Sequence, residues 1–251
     1  MQKVFQIQFN CIESTSLWAK QNAAFLDPEH LTCITAHEQT AGRGRLGREW
    51  NSPRGNLYTT IFFCLPYGSK ILPNVPQVIA LSCVEVLAGM GIDLQIKWPN
   101  DILHDGKKCA GIIAEAVPLE NRMGVAVGIG FNVNMALEDL DTIDQPATSL
   151  SQITGQPWPV RELLQRFLEQ FQNDLQLLQS HGFAAFHAKL DAKLAFRGQE
   201  ISCQTGYETI TGICHSVAED GRLNLLCEGG LKSLISGEVH TFRPLSTACS
   251  A

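Results

Sequence analysis

Long apolar runs are missing from the 251-residue sequence. No stretch approaches the roughly 18 residues needed to cross a bilayer, so a membrane-spanning helix is excluded. Charge is scarce too: Asp, Glu, Lys and Arg make up 18% of the chain against 45% hydrophobic residues, which excludes a disordered acidic polymer. A basic excess is absent, since 19 basic and 25 acidic groups leave a net charge of -6. That balance argues against a nucleic-acid binder, which needs a basic face to displace counterions from phosphates. The first ten residues lack an apolar h-region and alternate polar with apolar, so they read as a strand and not a signal peptide. Nine cysteines include no CxxC pair and no close Cys/His cluster, and most lie in apolar runs. Reduced, buried thiols of a cytoplasmic protein are expected, and no zinc site.

What is present is unevenly placed. Arg43, Arg45, Arg48 and Arg54 are four of the ten arginines, and they fall with four glycines between Gly42 and Gly55, where Glu49 is the one acid. That segment carries +3 and the remainder -9. Around it, Ser14, Thr15 and Ser16 offer hydroxyl caps for a short helix through Trp18. Strands are expected over 31–36 and 57–65, a buried helix over 78–87, and a strand over 92–98 that Pro99 ends, leaving Asn100 and Asp101 at the strand-to-loop transition. A hairpin joins 109–117 to 123–131. The spacing of Val160, Leu163, Leu164, Phe167, Leu168, Phe171, Leu175 and Leu178 predicts an amphipathic helix closed by Gly182, with a shorter helix over 183–194. Five short runs from Ile201 to Phe242 read as strands of a small barrel or sandwich, with a boundary near residue 190. Hairpins mixed with few helices point to an α+β fold with a mixed sheet.

Gly42 to Gly47 satisfies GxGxxG after a strand, but turn residues follow it where a helix should open, and the next acid after Glu49 is Glu85. A dinucleotide fingerprint needs that helix and an acid about 20 residues on, so this reading fails. A kinase loop fails as well, for want of HRD and DFG segments. Glycines that admit close backbone approach, alternating with guanidinium groups that grip carboxylate or phosphate bidentately, suit an anion-binding loop. A solvated basic turn is the plainer alternative. Lys97, Trp98, Pro99, Asn100 and Asp101, followed by Lys108 to Gly111, deliver an amide, a carboxylate and two cations that suit two anionic reactants; taken singly they are turn formers and a snorkelling lysine. Gly128 to Asn134 fits a third binding segment or a bulged strand with turn asparagines.

Together these segments resemble the biotin protein ligases. The matching pieces are E-S-T-S from Glu13, Q-T-A-G-R-G-R-L-G-R-E-W from Gln39, K-W-P-N-D from Lys97, K-C-A-G-I from Lys108, G-I-G-F-N-V-N from Gly128, A-T-S-L from Ala147 and G-E-V ahead of Arg243. The resemblance implies a catalytic domain related to class II aminoacyl-tRNA synthetases over 1–190 and an SH3-like barrel over 191–251. It implies biotin, ATP and Mg2+, with biotinyl-5'-AMP formed first and then passed to one lysine of a carrier domain such as that of acetyl-CoA carboxylase. By position, Ser14, Thr15, Ser16 and Gln39 would hold biotin, and Arg43, Gly44 and Arg45 would close over biotin and the adenylate. Lys108 would contact the biotin carboxylate and the α-phosphate, with Gly111 permitting close approach. Arg48, Trp50, Lys97, Asn100, Asp101 and Asn132 would serve the nucleotide and its Mg2+. Arg45, Lys108 and Asp101 are the expected catalytic groups, Asp101 as metal ligand or as orienter of the incoming amine.

Ser16 stands where many family members have asparagine, and Leu46 where some have arginine. The matching pattern begins almost at Met1, so no winged-helix domain, operator binding or repressor function is expected. In the family the sheet edge can pair with itself or with the carrier, which leaves a homodimer as an alternative to a monomer. A lipoate or octanoate ligase, or a biotin sensor that has lost catalysis, are the rivals. The arginine spacing disfavours the first, and the presence of Lys108 with Asp101 disfavours the second.

Overall fold

A computed structural model describes residues 3–206 and 208–241. Chain order begins with strand β1 (Val4–Phe9), helix α1 (Thr15–Asn22), β2 (Leu31–Ala36) and β3 (Leu57–Leu65). Ser14 caps α1, its hydroxyl accepting from the Leu17 backbone N–H, so the hydroxyl-rich turn read from sequence does start this helix. Helix α2 (Val75–Ala88) begins three residues before the expected Val78, because Pro76 in the first turn needs no N–H partner. Short strands β4 (Gln95–Lys97) and β5 (Asp101–His104) precede the long hairpin of β6 (Lys107–Pro118) and β7 (Met123–Phe131).

The seven strands form one sheet in the order β1-β2-β3-β7-β6-β5-β4, parallel between β1 and β2 and antiparallel elsewhere. Two expectations change here. The strand over 92–98 shrinks to Gln95–Lys97, with Ile96 bonded outward to the backbone of Lys193 and Ala195. Asn100 and Asp101 do not enter a long loop: Lys97 pairs directly with Asp101, so a tight turn sends Asp101 straight into β5.

Each face of the sheet has its own cover. On β7, Val125, Val127, Ile129 and Phe131 enter the main core, whereas the alternate positions are Gly124, Ala126, Gly128 and Gly130. Period-two alternation therefore builds one bulky face and one nearly bare face on a single strand. Helix α2 and the long α5 (Val160–His181) cover the bulky face; α5 follows the short α3 (Leu137–Leu140) and α4 (Leu150–Thr154). Its buried stripe of Leu163, Phe167, Leu168, Phe171, Leu175 and Leu178 contributes about 1.5–3 kcal/mol per side chain. Helix α1 packs on the bare side of β3 and β7, and leaves space beyond Gly128.

After α6 (Ala184–Ala192), strands β8 (Glu200–Gln204), β9 (Thr209–Val217), β10 (Leu223–Cys227), β11 (Gly230–Leu234) and β12 (Glu238–Thr241) form an antiparallel sheet ordered β11-β10-β9-β8-β12. Among the described residues the expected small barrel is represented by this five-stranded sheet; Phe242, Arg243 and Cys249 lie outside them. Ile201, Cys203, Cys214 and Val239 join the same core cluster as α2 and α5. Among the described cysteines all are free, and Cys11 is exposed where burial was expected.

Candidate active site

The bare face of β6 and β7 is roofed by the arginine segment, which is a miniature hairpin and not an unstructured turn. Trp50 N–H donates to Gly42 O at 2.9 Å, Gly44 N–H to Arg48 O at 2.8 Å, and Arg48 N–H to Arg45 O at 3.2 Å. At its tip, Leu46 (φ 58°) and Gly47 (φ 76°) are both left-handed. Glycine accepts that geometry freely, while Leu46 is strained and 80% exposed. Three contacts tie the hairpin down. Arg45 donates to Asn100 Oδ1 at 3.0 Å and to Gly237 O at 3.2 Å. Arg48 grips Glu238 bidentately at 2.6 and 3.0 Å. Trp50 lies flat over the glycines: a Cβ on Gly130 would fall 2.3 Å from Trp50 Cε2, and one on Gly111 would fall 3.0 Å from Trp50 Cζ3.

Beneath the hairpin, Lys108 Nζ sits 2.9 Å from Asp101 Oδ1 and 5.3 Å from the Trp50 ring centroid. Both members of this ion pair are only 16–17% exposed, so the pair works at reduced dielectric. Asn100 is buried and fully engaged, its amide donating to Ile112 O at 2.5 Å. Burial lowers the Lys97 pKa, with the Asp101 charge opposing the shift. At Glu238 burial pushes the carboxyl upward, but the Arg48 hydrogen bond and charge outweigh it and hold the carboxyl below its ordinary value.

The far end of the cleft is neutral and polar. Gln39 Oε1 accepts from the Thr15 N–H at 2.9 Å and from the Thr15 hydroxyl at 3.1 Å, while its amide donates to Ser52 Oγ at 3.0 Å. Ser52 in turn donates to Trp50 O at 2.8 Å, linking this end to the hairpin. Gly128 leaves room for Ser16, whose Oγ would lie 2.5 Å from a Cβ placed there.

One cleft therefore brings together Ser14, Thr15, Ser16, Gln39, Arg43, Gly44, Arg45, Arg48, Trp50, Lys97, Asn100, Asp101, Lys108 and Gly111. Asn132 is not among its walls. It is buried below the loop after β7, where its amide donates to Thr148 O at 3.1 Å, and its Oδ1 has no partner. Gly130, from the expected third binding segment, does line the cleft, whereas sequence reasoning did not place Gln145 or Thr59 here. Nothing local marks Gln145. Chemically, the cleft joins a neutral hydroxyl-amide pocket to a cluster of cations that includes two ion-paired carboxylates, Asp101 and Glu238.

Comparison with known proteins matches this geometry. Residues 8–132 match the biotin/lipoate A/B protein ligase family. A biotin--[acetyl-CoA-carboxylase] ligase of Paracoccus denitrificans is 33% identical over 82% of this chain and 88% of its own. A bifunctional ligase/repressor of Bacillus spizizenii is 34% identical over 91% of this chain and 71% of its own. The biotin protein ligase of Aquifex aeolicus, solved with biotin and ATP, superposes with a TM-score of 0.81 at 32% identity, covering 94% of this chain and 97% of that one. The α+β architecture thus corresponds to a class II synthetase-like catalytic sheet with an SH3-like appendage, and the chain belongs to the biotin protein ligase family.

Proposed function

We propose that the cleft under the arginine hairpin is where this ligase joins biotin to AMP and then releases it to a carrier lysine. The enzyme activates biotin as biotinyl-5'-AMP at the expense of ATP and transfers it to a lysine of a biotin carboxyl carrier protein. The observation that carries the assignment is the convergence of Lys108, Lys97, Arg43 and Arg45 on one cleft that ends in the Thr15/Gln39 pocket.

In the first step the biotin carboxylate oxygen attacks the α-phosphorus, and the bond to the β-phosphate oxygen breaks to release pyrophosphate. Two negative groups must meet and further charge builds on the phosphoryl oxygens, so fixed cations lower the barrier. Lys108 lies where it can bridge carboxylate and α-phosphate, and its ion pair with Asp101 at 2.9 Å keeps its ammonium aimed. Arg45, held by Asn100, supplies the second cation. Arg48, Lys97 and Trp50 serve the nucleotide, with Trp50 walling its base. Ser14, Thr15, Ser16 and Gln39 hold the ring system of biotin. In the second step the carrier lysine amine attacks the acyl carbon, AMP leaves, and the amine loses a proton; Asp101 orients that amine. The hairpin excludes water from the mixed anhydride meanwhile.

The residues fit Mg2+ arriving on ATP, since such an ion is commonly held by one or two carboxylates plus phosphate oxygens. Asp101 would be its protein ligand, and the ion would neutralise phosphate charge. Asn132, facing Thr148 inside the loop, supports the nucleotide subsite from behind at most. We place the catalytic unit over 1–190 and the appendage over 191–251. Beyond Ile112, β6 has no neighbour on the β5 side among the described residues, which offers an edge for a strand of the carrier or of a second copy.

Titration calorimetry with biotin, lipoate and ATP tests the assignment. Biotin binding that tightens ATP binding is expected, and preferential lipoate binding would overturn it.

A further inference from the structure

Behind the neutral pocket lies a side chain that does not line it. Thr60, on β3, is fully buried and stands opposite Gly128 in the sheet ladder. Its hydroxyl donates to Thr15 Oγ1 at 2.9 Å and lies 3.1 Å from Ser16 Oγ. The proton directions along this chain follow from one fixed end. The Thr15 backbone N–H can only donate, so the Gln39 atom facing it is the oxygen, and the Thr15 hydroxyl next to that oxygen must donate to it as well. Thr15 Oγ1 then has no proton left for Thr60, so Thr60 donates to Thr15. Thr60 has spent its own proton, so Ser16 donates to Thr60. On its other side the Gln39 amide donates to Ser52, which donates to Trp50 O.

We infer that Thr60 is a positioning residue for biotin: it takes the proton of Ser16 and donates to Thr15, whose own proton Gln39 already holds, so both hydroxyls offer only lone pairs to the pocket. This rests on the ligase reading above. Biotin's neutral end is a cyclic urea with two N–H donors, and a floor polarised to accept matches them without reorganisation. A hydroxyl free to rotate would spend part of its time presenting its own proton to the ligand N–H. The same chain reaches Trp50 O through Gln39 and Ser52, so a ligand settling on the floor bears on the base of the arginine hairpin.

Thr60→Val keeps the volume and removes the hydroxyl. Expected is a biotin Kd, read by calorimetry with biotin alone, that weakens about 10-fold, the weight of one or two net hydrogen bonds. The KM for ATP and the kcat at saturating biotin should stay within about twofold, and Thr60→Ser should restore wild-type biotin affinity. Thr60→Ala serves as a second variant should the valine disturb folding, and thermal melts on each separate the two effects. Equal biotin affinity in wild type and T60V, a matching loss for ATP, or failure of serine to restore binding would each overturn the relay. Wild-type protein that binds biotin yet forms no adenylate would instead count against the ligase reading, while the Thr60 comparison would still decide the relay.

Discussion

Replacing Gly130 by alanine probes how the roof is seated on the floor. The added Cβ would fall 2.3, 2.5 and 2.8 Å from Trp50 Cε2, Nε1 and Cζ2, distances that real Cβ atoms do not adopt. Strand β7 is bonded on both sides, to Tyr58 and to Gly111 at this register, so the backbone cannot yield and the indole must. Trp50 Nε1 has no hydrogen-bond partner in its present seat, so moving it breaks no polar contact; what is lost is ring packing and the approach to Lys108. Overpacking of this kind costs about 1–3 kcal/mol. If Trp50 walls the nucleotide, that cost falls on ATP recognition, and KM for ATP should rise about 5- to 140-fold at 1.4 kcal/mol per decade. The assay is pyrophosphate release at saturating biotin, with indole emission recorded alongside. Gly229→Ala is the control, because a Cβ there meets nothing within 4 Å. Wild-type ATP kinetics and unchanged emission in G130A would refute the seating of Trp50 on this strand.

Lys108→Ala should slow adenylate formation about 100- to 1,000-fold, the usual loss for one fixed transition-state partner, and a rate near wild type would remove its assigned role. The Arg48–Glu238 clamp should show in the acid limb of stability. Arg48 holds Glu238 below its ordinary value of 4.5, so its contribution is present above pH 4.5 and disappears as pH falls through the lower folded value; E238Q should lack that part of the melting-temperature decline. Asn56 Oδ1 accepts from the N–H groups of Val133 and Asn134 inside the fold, so Asn56→Ala should cost about 2–4 kcal/mol in urea unfolding by stranding both donors.

Much of this was written in local pattern. Strand β3 and the β6–β7 hairpin follow from β-branched and aromatic runs, and α5 from a 3.6-residue stripe ended by Gly182, because in each the period reports which face meets the core. The arginine and K-W-P-N-D segments announced their chemistry through residue type. What stayed illegible depended on distant partners. Asp101 reads as a loop residue until its pairing with Lys97 shows the turn to be tight. Asn132 sits in a segment that resembles a binding motif, yet the chain turns it toward Thr148. Thr60 looks like one more β-branched strand residue, since alternation says which face it occupies and not that α1 will set two hydroxyls above it. Nor does sequence show that Gly237 and Glu238 return about 190 positions later to hold Arg45 and Arg48.

The most direct test of the central claim is the intact mass of a biotin carboxyl carrier domain incubated with this enzyme, biotin and MgATP. Addition of one biotinyl group, mapped to a single lysine and lost with Lys108→Ala, is the expected result. An unmodified carrier at high enzyme concentration, or addition of lipoate in preference to biotin, would contradict it.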